Sequence, residues 1–306
     1  MTDDLRTSGD LAADRRYAWA VAALGEGDAV GAADLLRQAL ELAPAWPPAW
    51  LALGDACRRV GDVAAAADAW HRCLALDPAD RLGAGPRLAE AGAVPAAGAI
   101  SAGYVARLFD DYAPRFEGHL VEALGYRGPA LVAEAIAQAA PGRRFARVLD
   151  LGCGTGLAGD ALRTLAGWLG GCDLSGAMLE RALARGIYDR LARSDLQAAL
   201  VAEEPGSLDL VVAADVLIYV PDLAPVFAAA ARALAPGGLF AFTTQDHSGG
   251  GSDVAVGADL RVRHATKHVL ALARAAGFDV AAHAPDWARR ERGEPVPGLV
   301  AVLRRR

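Results

Sequence analysis

An apolar run that ends in an acid and breaks into glycines is the feature that most constrains this chain. Residues 148–159 read Val-Leu-Asp-Leu-Gly-Cys-Gly-Thr-Gly-Leu-Ala-Gly. The pattern predicts a buried strand that delivers Asp150 to a loop, followed by a helix. Gly152, Gly154 and Gly156 allow a tight turn and leave no Cβ between the main chain and a ligand. The sequence therefore predicts a ligand-binding strand–loop–helix unit of an α/β fold.

The same glycines also fit the spacing of a dinucleotide-binding loop, because Gly154, Gly156 and Gly159 follow a G-x-G-x-x-G pattern. Asp150 argues against a dinucleotide. A carboxylate at the mouth of the loop would repel a pyrophosphate, whereas it suits a ligand that carries an ammonium group.

A second acid follows after about one strand–helix–strand unit. Residues 170–178 read Gly-Gly-Cys-Asp-Leu-Ser-Gly-Ala-Met, which predicts a short strand that ends at Asp173 and a helix capped by Ser175. An acid at this place commonly holds ribose hydroxyls in nucleoside-binding α/β folds. Met178 is close enough in sequence to lie against a flat adenine ring.

The two motifs, D-x-G-x-G-x-G and D-x-S-x-x-M, resemble in order and spacing those of class I S-adenosylmethionine-dependent methyltransferases. The resemblance implies that the glycine loop holds the methionine part of S-adenosylmethionine, Asp173 the ribose and Met178 the adenine. An ordinary doubly wound domain, in which the glycines serve only strand–helix packing, is the alternative. The predicted cofactor-binding residues are Asp150, Gly152, Gly154, Gly156, Asp173, Leu174, Met178, Asp195 and Tyr112.

Two of these residues are assigned from the places that related enzymes use. Asp195 follows the third predicted strand, where an acid can contact the adenine amino group; a solvated turn aspartate is the alternative. Tyr112 and His119 lie in an aromatic helical segment, residues 104–120, which the resemblance implies closes over the cofactor. Its other aromatic residues, Phe109 and Phe116, are interpreted as a buried helical stripe.

The candidate catalytic residues are Asp215, Tyr219 and His264. Asp215 and Tyr219 follow the fourth predicted strand, whose carboxyl end faces the reacting methyl in such folds; a helix N-cap is the alternative role for Asp215. His264 follows two arginines and is a candidate base. His264 and His268 have metal-ligand spacing, but no acid neighbour completes a site, so no metal is predicted. Methyl transfer mainly requires alignment and exclusion of water, so no base is obligatory.

Beyond Pro141 the chain alternates predicted strands and helices, which indicates a parallel sheet with crossover connections. No long helix separates the last two strands, so we expect them to pair antiparallel. The resemblance implies a seven-stranded Rossmann-like sheet with an antiparallel terminal strand. The predicted strands are residues 147–151, 168–173, 189–192, 208–213, 239–244, 278–283 and 299–303.

The N-terminal part contains a repeat with a period of 34 residues, in which Gly27-Asp28 recurs as Gly61-Asp62 and residues 40–44 recur as residues 74–78. The pattern resembles tetratricopeptide repeats, whose helix pairs usually bind protein segments. A structural appendage or a dimer surface is the alternative. We therefore expect helical repeats in residues 1–95 and a methyltransferase domain in residues 96–306, with a linker and covering helices in residues 96–140.

Composition narrows the classes of partner. The net charge of −6 and the pI near 5.5 argue against nucleic acid and anionic membranes as partners. The four cysteines have no C-x-x-C spacing, and no apolar run reaches membrane-spanning length. The first residues lack a signal-peptide pattern, so we expect a cytoplasmic protein with reduced thiols.

Nearly the whole chain resembles predicted bacterial methyltransferases that carry an N-terminal tetratricopeptide segment. The resemblance implies methyl transfer to an acceptor, of which a hydroxyl, carboxyl or carbon of a small molecule fits a closed pocket best. A protein or carrier-protein methyltransferase docked through the repeats and a non-catalytic cofactor-binding adaptor remain alternatives. The charged loop at residues 289–298 is either solvated or an anchor for an acidic acceptor.

Overall fold

The computed structural model describes residues 5–118, 125–247 and 252–306. The chain divides into two compact units, Met1–Tyr104 and Val105–Arg306. The first unit is helical and the second is an α/β sheet domain.

The first unit consists of helices whose termini recur along the chain. Its helices are α1 (Leu11–Glu26), α2 (Ala29–Leu42), α3 (Pro47–Val60), α4 (Val63–Leu76) and α5 (Ala84–Glu90). Gly27 and Gly61 take the left-handed conformation that ends α1 and α3. Asp28 and Asp62 then cap α2 and α4 by accepting from the amide three residues ahead. The 34-residue period of the sequence is therefore a period of helix termini.

Close packing of α3 on α4 centres on Trp70. The indole is buried, and its Nε1 donates to Asp55 Oδ1 at 3.1 Å. A Cβ at Gly54 would lie 2.3 Å from the indole nitrogen, so only glycine allows this approach. Arg87 of α5 donates to both carboxylate oxygens of Asp55, at 2.7 and 3.1 Å, which ties α5 to α3.

The division between the units lies nine residues beyond the expected boundary at residue 95, because residues up to Tyr104 pack on the helical unit. Ser101 Oγ donates to the Ala79 carbonyl at 2.9 Å. The Ala99 carbonyl would be 2.4 Å from a Cβ at Gly85.

The second unit contains helices α6 to α12 and strands β1 to β11. The helices are α6 (Ala102–Tyr112), which begins at the end of the first unit, α7 (Gly128–Ala139), α8 (Leu157–Leu162), α9 (Gly176–Arg185), α10 (Leu196–Ala202), α11 (Ala224–Ala233) and α12 (Thr266–Ala275). The strands are β1 (Phe145–Leu151), β2 (Ala166–Asp173), β3 (Arg190–Arg193), β4 (Leu208–Ala213), β5 (Leu234–Asp246), β6 (Val254–Val256), β7 (Val262–His264), β8 (Phe278–Asp286), β9 (Arg290–Glu291), β10 (Glu294–Pro295) and β11 (Gly298–Arg305).

A mixed sheet has the strand order β3-β2-β1-β4-β5-β11-β8. The first five strands of this row are parallel. Strand β11 lies between β5 and β8 and is antiparallel to both, so the expected antiparallel pairing of the last two long strands is confirmed. The described residues add β6 and β7, which join the end of β5 and bring the sheet to nine strands.

Apolar side chains cover both faces of the sheet, as a parallel sheet requires. On one face, Phe240 and Phe242 of β5 and Phe278 of β8 form a cluster with Phe227 of α11. The other face packs against α7 through Leu131 and Ile136. The carboxyl ends of the five parallel strands therefore meet at one edge, which is where the predicted acids are found.

All four cysteines are buried and unpaired. Within the described ranges, no helix is long and apolar enough to cross a membrane.

Candidate active site

The glycine loop follows β1 and turns through left-handed backbone conformations. Gly152, Gly154 and Gly156 have φ angles of +62°, +55° and +98°. A Cβ at Gly152 would lie 2.3 Å from the Val216 side chain, which packs the segment after β4 against the loop. A Cβ at Gly154 would meet only the Phe116 ring, at 4.0 Å. The loop is thus crowded beneath Gly152 and has space at Gly154.

Asp150 is buried at the end of β1, and one of its two carboxylate oxygens accepts no hydrogen bond in the described part of the chain. Its Oδ2 accepts from the Tyr188 hydroxyl at 2.7 Å, whereas Oδ1 is buried and has no hydrogen-bond partner among the described residues. Burial raises the pKa of Asp150 to about 7; the Tyr188 hydrogen bond opposes that shift, and the charge of Asp173 adds to it. A cationic donor beside Oδ1 would satisfy the orphaned oxygen and favour the ionised carboxylate.

Asp173 joins the glycine loop to the start of α9. Its Oδ2 accepts from the Gly154 amide at 2.9 Å, and its Oδ1 accepts from the Ser175 amide at 2.8 Å. Burial raises the pKa of Asp173, while these backbone bonds oppose the shift. Each carboxylate oxygen has a second lone pair, so the group can still accept from ligand hydroxyls.

The other predicted cofactor residues on this edge have different environments. Ser175 caps α9 by accepting from the Met178 amide at 3.1 Å, as the sequence predicts, and the Met178 side chain is fully buried. The Leu174 carbonyl accepts from Arg193 Nε at 3.0 Å. Asp195 is exposed and caps α10 by accepting from the Ala198 amide at 2.8 Å. Asp195 thus has a structural role whether or not it contacts a ligand.

The segment from α6 to residue 118 contacts the glycine loop and α9. Asp110 Oδ1 accepts from Ser175 Oγ at 2.5 Å and from the Ala177 amide at 3.2 Å. Glu117 accepts from Arg185 Nη2 at 2.6 Å. Neither acid could be predicted from the sequence, because their partners lie 65 or more residues away. His119 lies outside the described residues.

Aromatic rings form a continuous path from the glycine loop to the end of β4. Phe116, beside Gly154, lies 5.2 Å from the Tyr112 ring and 6.1 Å from the Phe109 ring, measured between centroids. Phe109 in turn lies 5.3 Å from the Tyr219 ring, edge to face. The interpretation of Phe109 and Phe116 as a buried stripe is wrong, since both are partly exposed and link the predicted site residues.

Tyr112, predicted from its place in this segment, is half-buried within the same group of rings. Burial raises the pKa of Tyr112, and the charge of Arg261 opposes the shift.

Asp215 is held by an ion pair that the sequence analysis missed. Arg289 Nη1 donates to both carboxylate oxygens of Asp215, at 2.7 and 2.8 Å, and the Arg289 side chain is only 2% exposed. Asp215 also has a φ of +57°, a strained conformation for a non-glycine residue. Its carboxylate caps no helix, which corrects the alternative role, and its full pairing does not suit a free base.

His264 is not placed to act as a base. The side chain is fully buried on β7, and its Nε2 lies 3.0 Å from the Val220 carbonyl oxygen. Burial lowers the pKa of His264 to about 4. A fully buried ring cannot reach an acceptor, so the prediction of His264 as a base is corrected. The sequence shows only that two arginines precede this histidine, and its burial comes from tertiary packing.

Tyr219 has a partner of a different kind. It lies in a 3₁₀ turn, Leu217–Tyr219, and its hydroxyl oxygen accepts from Arg261 Nε at 3.1 Å. Arg261 lies in the turn directly before β7, and no sequence pattern predicted that it would contact Tyr219. The geometry therefore brings Tyr219, Tyr112 and Asp215 to one edge of the sheet.

Comparison with known proteins identifies the domain. Residues 149–240 match a family model described as a methyltransferase domain. This part of the chain is similar to class I S-adenosylmethionine-dependent methyltransferases. S-adenosylmethionine is the cofactor that this domain implies. The buried orphan oxygen of Asp150 and the space at Gly154 fit that cofactor's ammonium-bearing end.

Two curated relatives are similar to parts of the chain. The ubiquinone biosynthesis O-methyltransferase of Albidiferax ferrireducens is 35% identical over 106 residues, which cover 33% of this chain and 42% of the relative. Human methyltransferase-like protein 27 is 33% identical over 150 residues, which cover 46% of this chain and 57% of that protein. The chain therefore spans about half the length of the curated relatives it matches.

A solved structure supports the fold. The 1,6-didemethyltoxoflavin-N1-methyltransferase of Burkholderia thailandensis, solved with S-adenosylhomocysteine, has a TM-score of 0.51 and 20% identity. The match covers 66% of this chain and 88% of that structure.

Proposed function

We propose that this protein transfers a methyl group from S-adenosylmethionine to a hydroxyl, carboxyl or carbon of a small molecule. The observation that carries the proposal is the convergence of Asp150, the glycine loop and Asp173 at one edge of the sheet. Curated relatives named as O-methyltransferases support an oxygen acceptor.

In this proposal Asp150 Oδ1 pairs with the ammonium group of the cofactor, and Gly154 provides the space for its methionine part. Asp173 accepts from the ribose hydroxyls through its remaining lone pairs. Leu174 and Asp195 would border the adenine, and Tyr112 would cover the site. The fully buried Met178 would support the adenine site without touching the ligand. Gly152 and Gly156 would shape the loop around it. The cofactor supplies an activated methyl group when bound.

The chain's own residues align the acceptor and exclude water, which methyl transfer mainly needs. Phe109, Phe116 and Tyr112 form an apolar wall beside Gly154, and Tyr219 places a hydroxyl next to it. Asp215, held by Arg289, keeps the segment after β4 in its strained conformation. This arrangement needs no histidine base, in agreement with the burial of His264.

We also propose that α1 to α4 are two tetratricopeptide-like repeats completed by α5, in a cytoplasmic protein. The recurrence of glycine and aspartate caps every 34 residues supports this assignment. In this proposal the repeats offer a surface for a protein partner.

Calorimetry with S-adenosylhomocysteine tests the proposed function. We expect Asp173→Asn to weaken binding more than about tenfold, because the variant loses charge-assisted bonds to the ribose. Asp279→Asn, at an exposed acid on β8, is the control and should bind like the parent protein. Equal affinity in Asp173→Asn, or a preference of the parent protein for NAD, contradicts the proposal.

A further inference from the structure

The environment of Arg261 and Tyr219 bears on the class of acceptor, on the basis of the proposed methyltransferase function. Arg261 donates through Nε to the Tyr219 oxygen at 3.1 Å. That bond occupies a lone pair of the oxygen, so the hydroxyl hydrogen of Tyr219 must point elsewhere. No acceptor for that hydrogen is found in the described part of the chain.

A nitrogen of the Arg261 guanidinium, Nη2, is also free to donate a hydrogen bond. Its Nη1 lies on the side of two acids, 3.5 Å from Asp259 and 3.6 Å from Glu291, and its Nη2 makes no hydrogen bond within the described ranges. The side chain is 23% exposed, and Nη2 is not one of the buried unpartnered nitrogens of the described residues, so that edge can be reached. Nη2 and Nε lie on the same edge of a guanidinium, so Nη2 is next to the Tyr219 hydroxyl.

The acids around this pair are shared with other arginines. Asp215 is occupied by Arg289 at 2.7 and 2.8 Å, and Asp259 is shared with Arg263 at 3.8 Å and with Arg289 at 3.9 Å. Burial alone would lower the pKa of Arg261, but Tyr219, Asp215 and Asp259 raise it, so the guanidinium is always charged.

The pair also lies beside the proposed reaction site. Tyr219 contacts Phe109, Phe109 contacts Phe116, and Phe116 borders Gly154. Val216, three residues before Tyr219, packs on Gly152. A molecule that lies along these rings from the glycine loop to Tyr219 would therefore present one end to both donors.

We propose that Arg261 and Tyr219 bind an anionic oxygen group, a carboxylate, on the methyl acceptor. One carboxylate oxygen accepts from Arg261 Nη2 and the same or the second oxygen accepts from the Tyr219 hydroxyl. The Nε bond makes Arg261 a positioning residue for Tyr219 as well as a ligand for the acceptor. The proposed methyl acceptor is therefore a small organic acid.

The first test identifies the charge of the acceptor. Small molecules from a cell extract are separated on an anion exchanger at pH 7, and each fraction is incubated with the full chain and methyl-labelled S-adenosylmethionine. We expect label to enter the retained fraction. Label confined to the unretained fraction overturns the carboxylate assignment but leaves the proposed function intact. Binding of S-adenosylhomocysteine with no transfer to either fraction overturns both.

The second test assigns the residues. The purified acceptor is titrated calorimetrically into the protein saturated with S-adenosylhomocysteine. We expect Arg261→Gln to raise the acceptor's Kd at least about tenfold, because a charge-assisted bond is lost. Tyr219→Phe should raise the Kd less, and Arg261→Lys should recover part of the affinity. Arg274→Gln, at an exposed arginine of α12, is the charge-matched control.

Affinity for S-adenosylhomocysteine is measured in every variant and should stay within about twofold of the parent value. An unchanged acceptor Kd in Arg261→Gln overturns the assignment. Loss of S-adenosylhomocysteine binding in Arg261→Gln shows a structural role instead and also overturns it.

Discussion

Asp150 is a residue whose charge depends strongly on its surroundings. It is buried, its pKa is about 7, and one of its oxygens lacks a partner among the described residues. A carboxyl whose pKa is raised by folding binds its proton more tightly in the folded state. Its contribution to the free energy of unfolding is therefore present at low pH and is lost as pH rises towards 7.

We expect cofactor binding to have the opposite pH dependence, because an ammonium group favours the ionised form of Asp150. The affinity for S-adenosylhomocysteine should rise about tenfold from pH 6 to pH 8, measured by calorimetry. Asp150→Asn should bind weakly, with no such rise. Tyr188→Phe should move the midpoint to higher pH, because the Tyr188 hydrogen bond lowers the pKa of Asp150. A flat profile in the parent protein would rule out pairing between Asp150 and the ammonium group.

Site residues could be predicted from the sequence where their position follows from a local pattern. They could not be predicted where their partner lies far away along the sequence. Asp150 and Asp173 each end a strand, so a local pattern predicts their position. Asp215 also ends a strand, but its partner Arg289 is 74 residues away and reaches it only through the fold. His264 follows two arginines in sequence, which suggests an exposed position, yet in the fold it is a fully buried residue of β7.

At the scale of elements, helices and strands were predictable where apolar residues recur regularly along the sequence. All seven predicted strands overlap strands of the long row, and only their ends differ. Strands β6 and β7 have three residues each, too short for alternation to be visible in the sequence. The left-handed glycines that end α1 and α3 were visible as a repeat.

The close contact of α3 with α4 at Gly54 allows a prediction about stability. A methyl group at this position would meet the rigid indole of Trp70 at 2.3 Å, so Gly54→Ala should lower the free energy of unfolding by about 1–3 kcal/mol. Gly25→Ala is the matched control, because a Cβ at Gly25 in α1 meets nothing within 4 Å. That control should stabilise by about 0.5–1 kcal/mol through helix propensity. Thermal unfolding of the full chain measures both, and equal stability of the two variants would contradict the packing argument.

At the scale of the whole molecule, the candidate site lies within one unit. The glycine loop, Asp173, Asp110 and Arg261 all belong to Val105–Arg306. The helical unit has its own buried core around Trp70. Cofactor binding therefore should not require the helical unit.

A fragment of residues 101–306, which keeps α6 whole, should fold and bind S-adenosylhomocysteine within about threefold of the full chain's affinity. The reason is that each contact described around the glycine loop lies inside this fragment. Circular dichroism and calorimetry check the result. A fragment that is unfolded, or folded but unable to bind, would show that the helical unit supports the site.

Strand β11 is the last strand in sequence but lies inside the sheet, between β5 and β8. During translation the hydrogen-bonding edge of β5 therefore emerges about 50 residues before the strand that will cover it. At ordinary ribosomal speed this edge waits roughly 3–10 s, longer than most local folding steps take. Strand β8 waits as well, because its neighbour in the row is β11. The newly made chain thus has a period of exposure to aggregation that chaperones would have to cover.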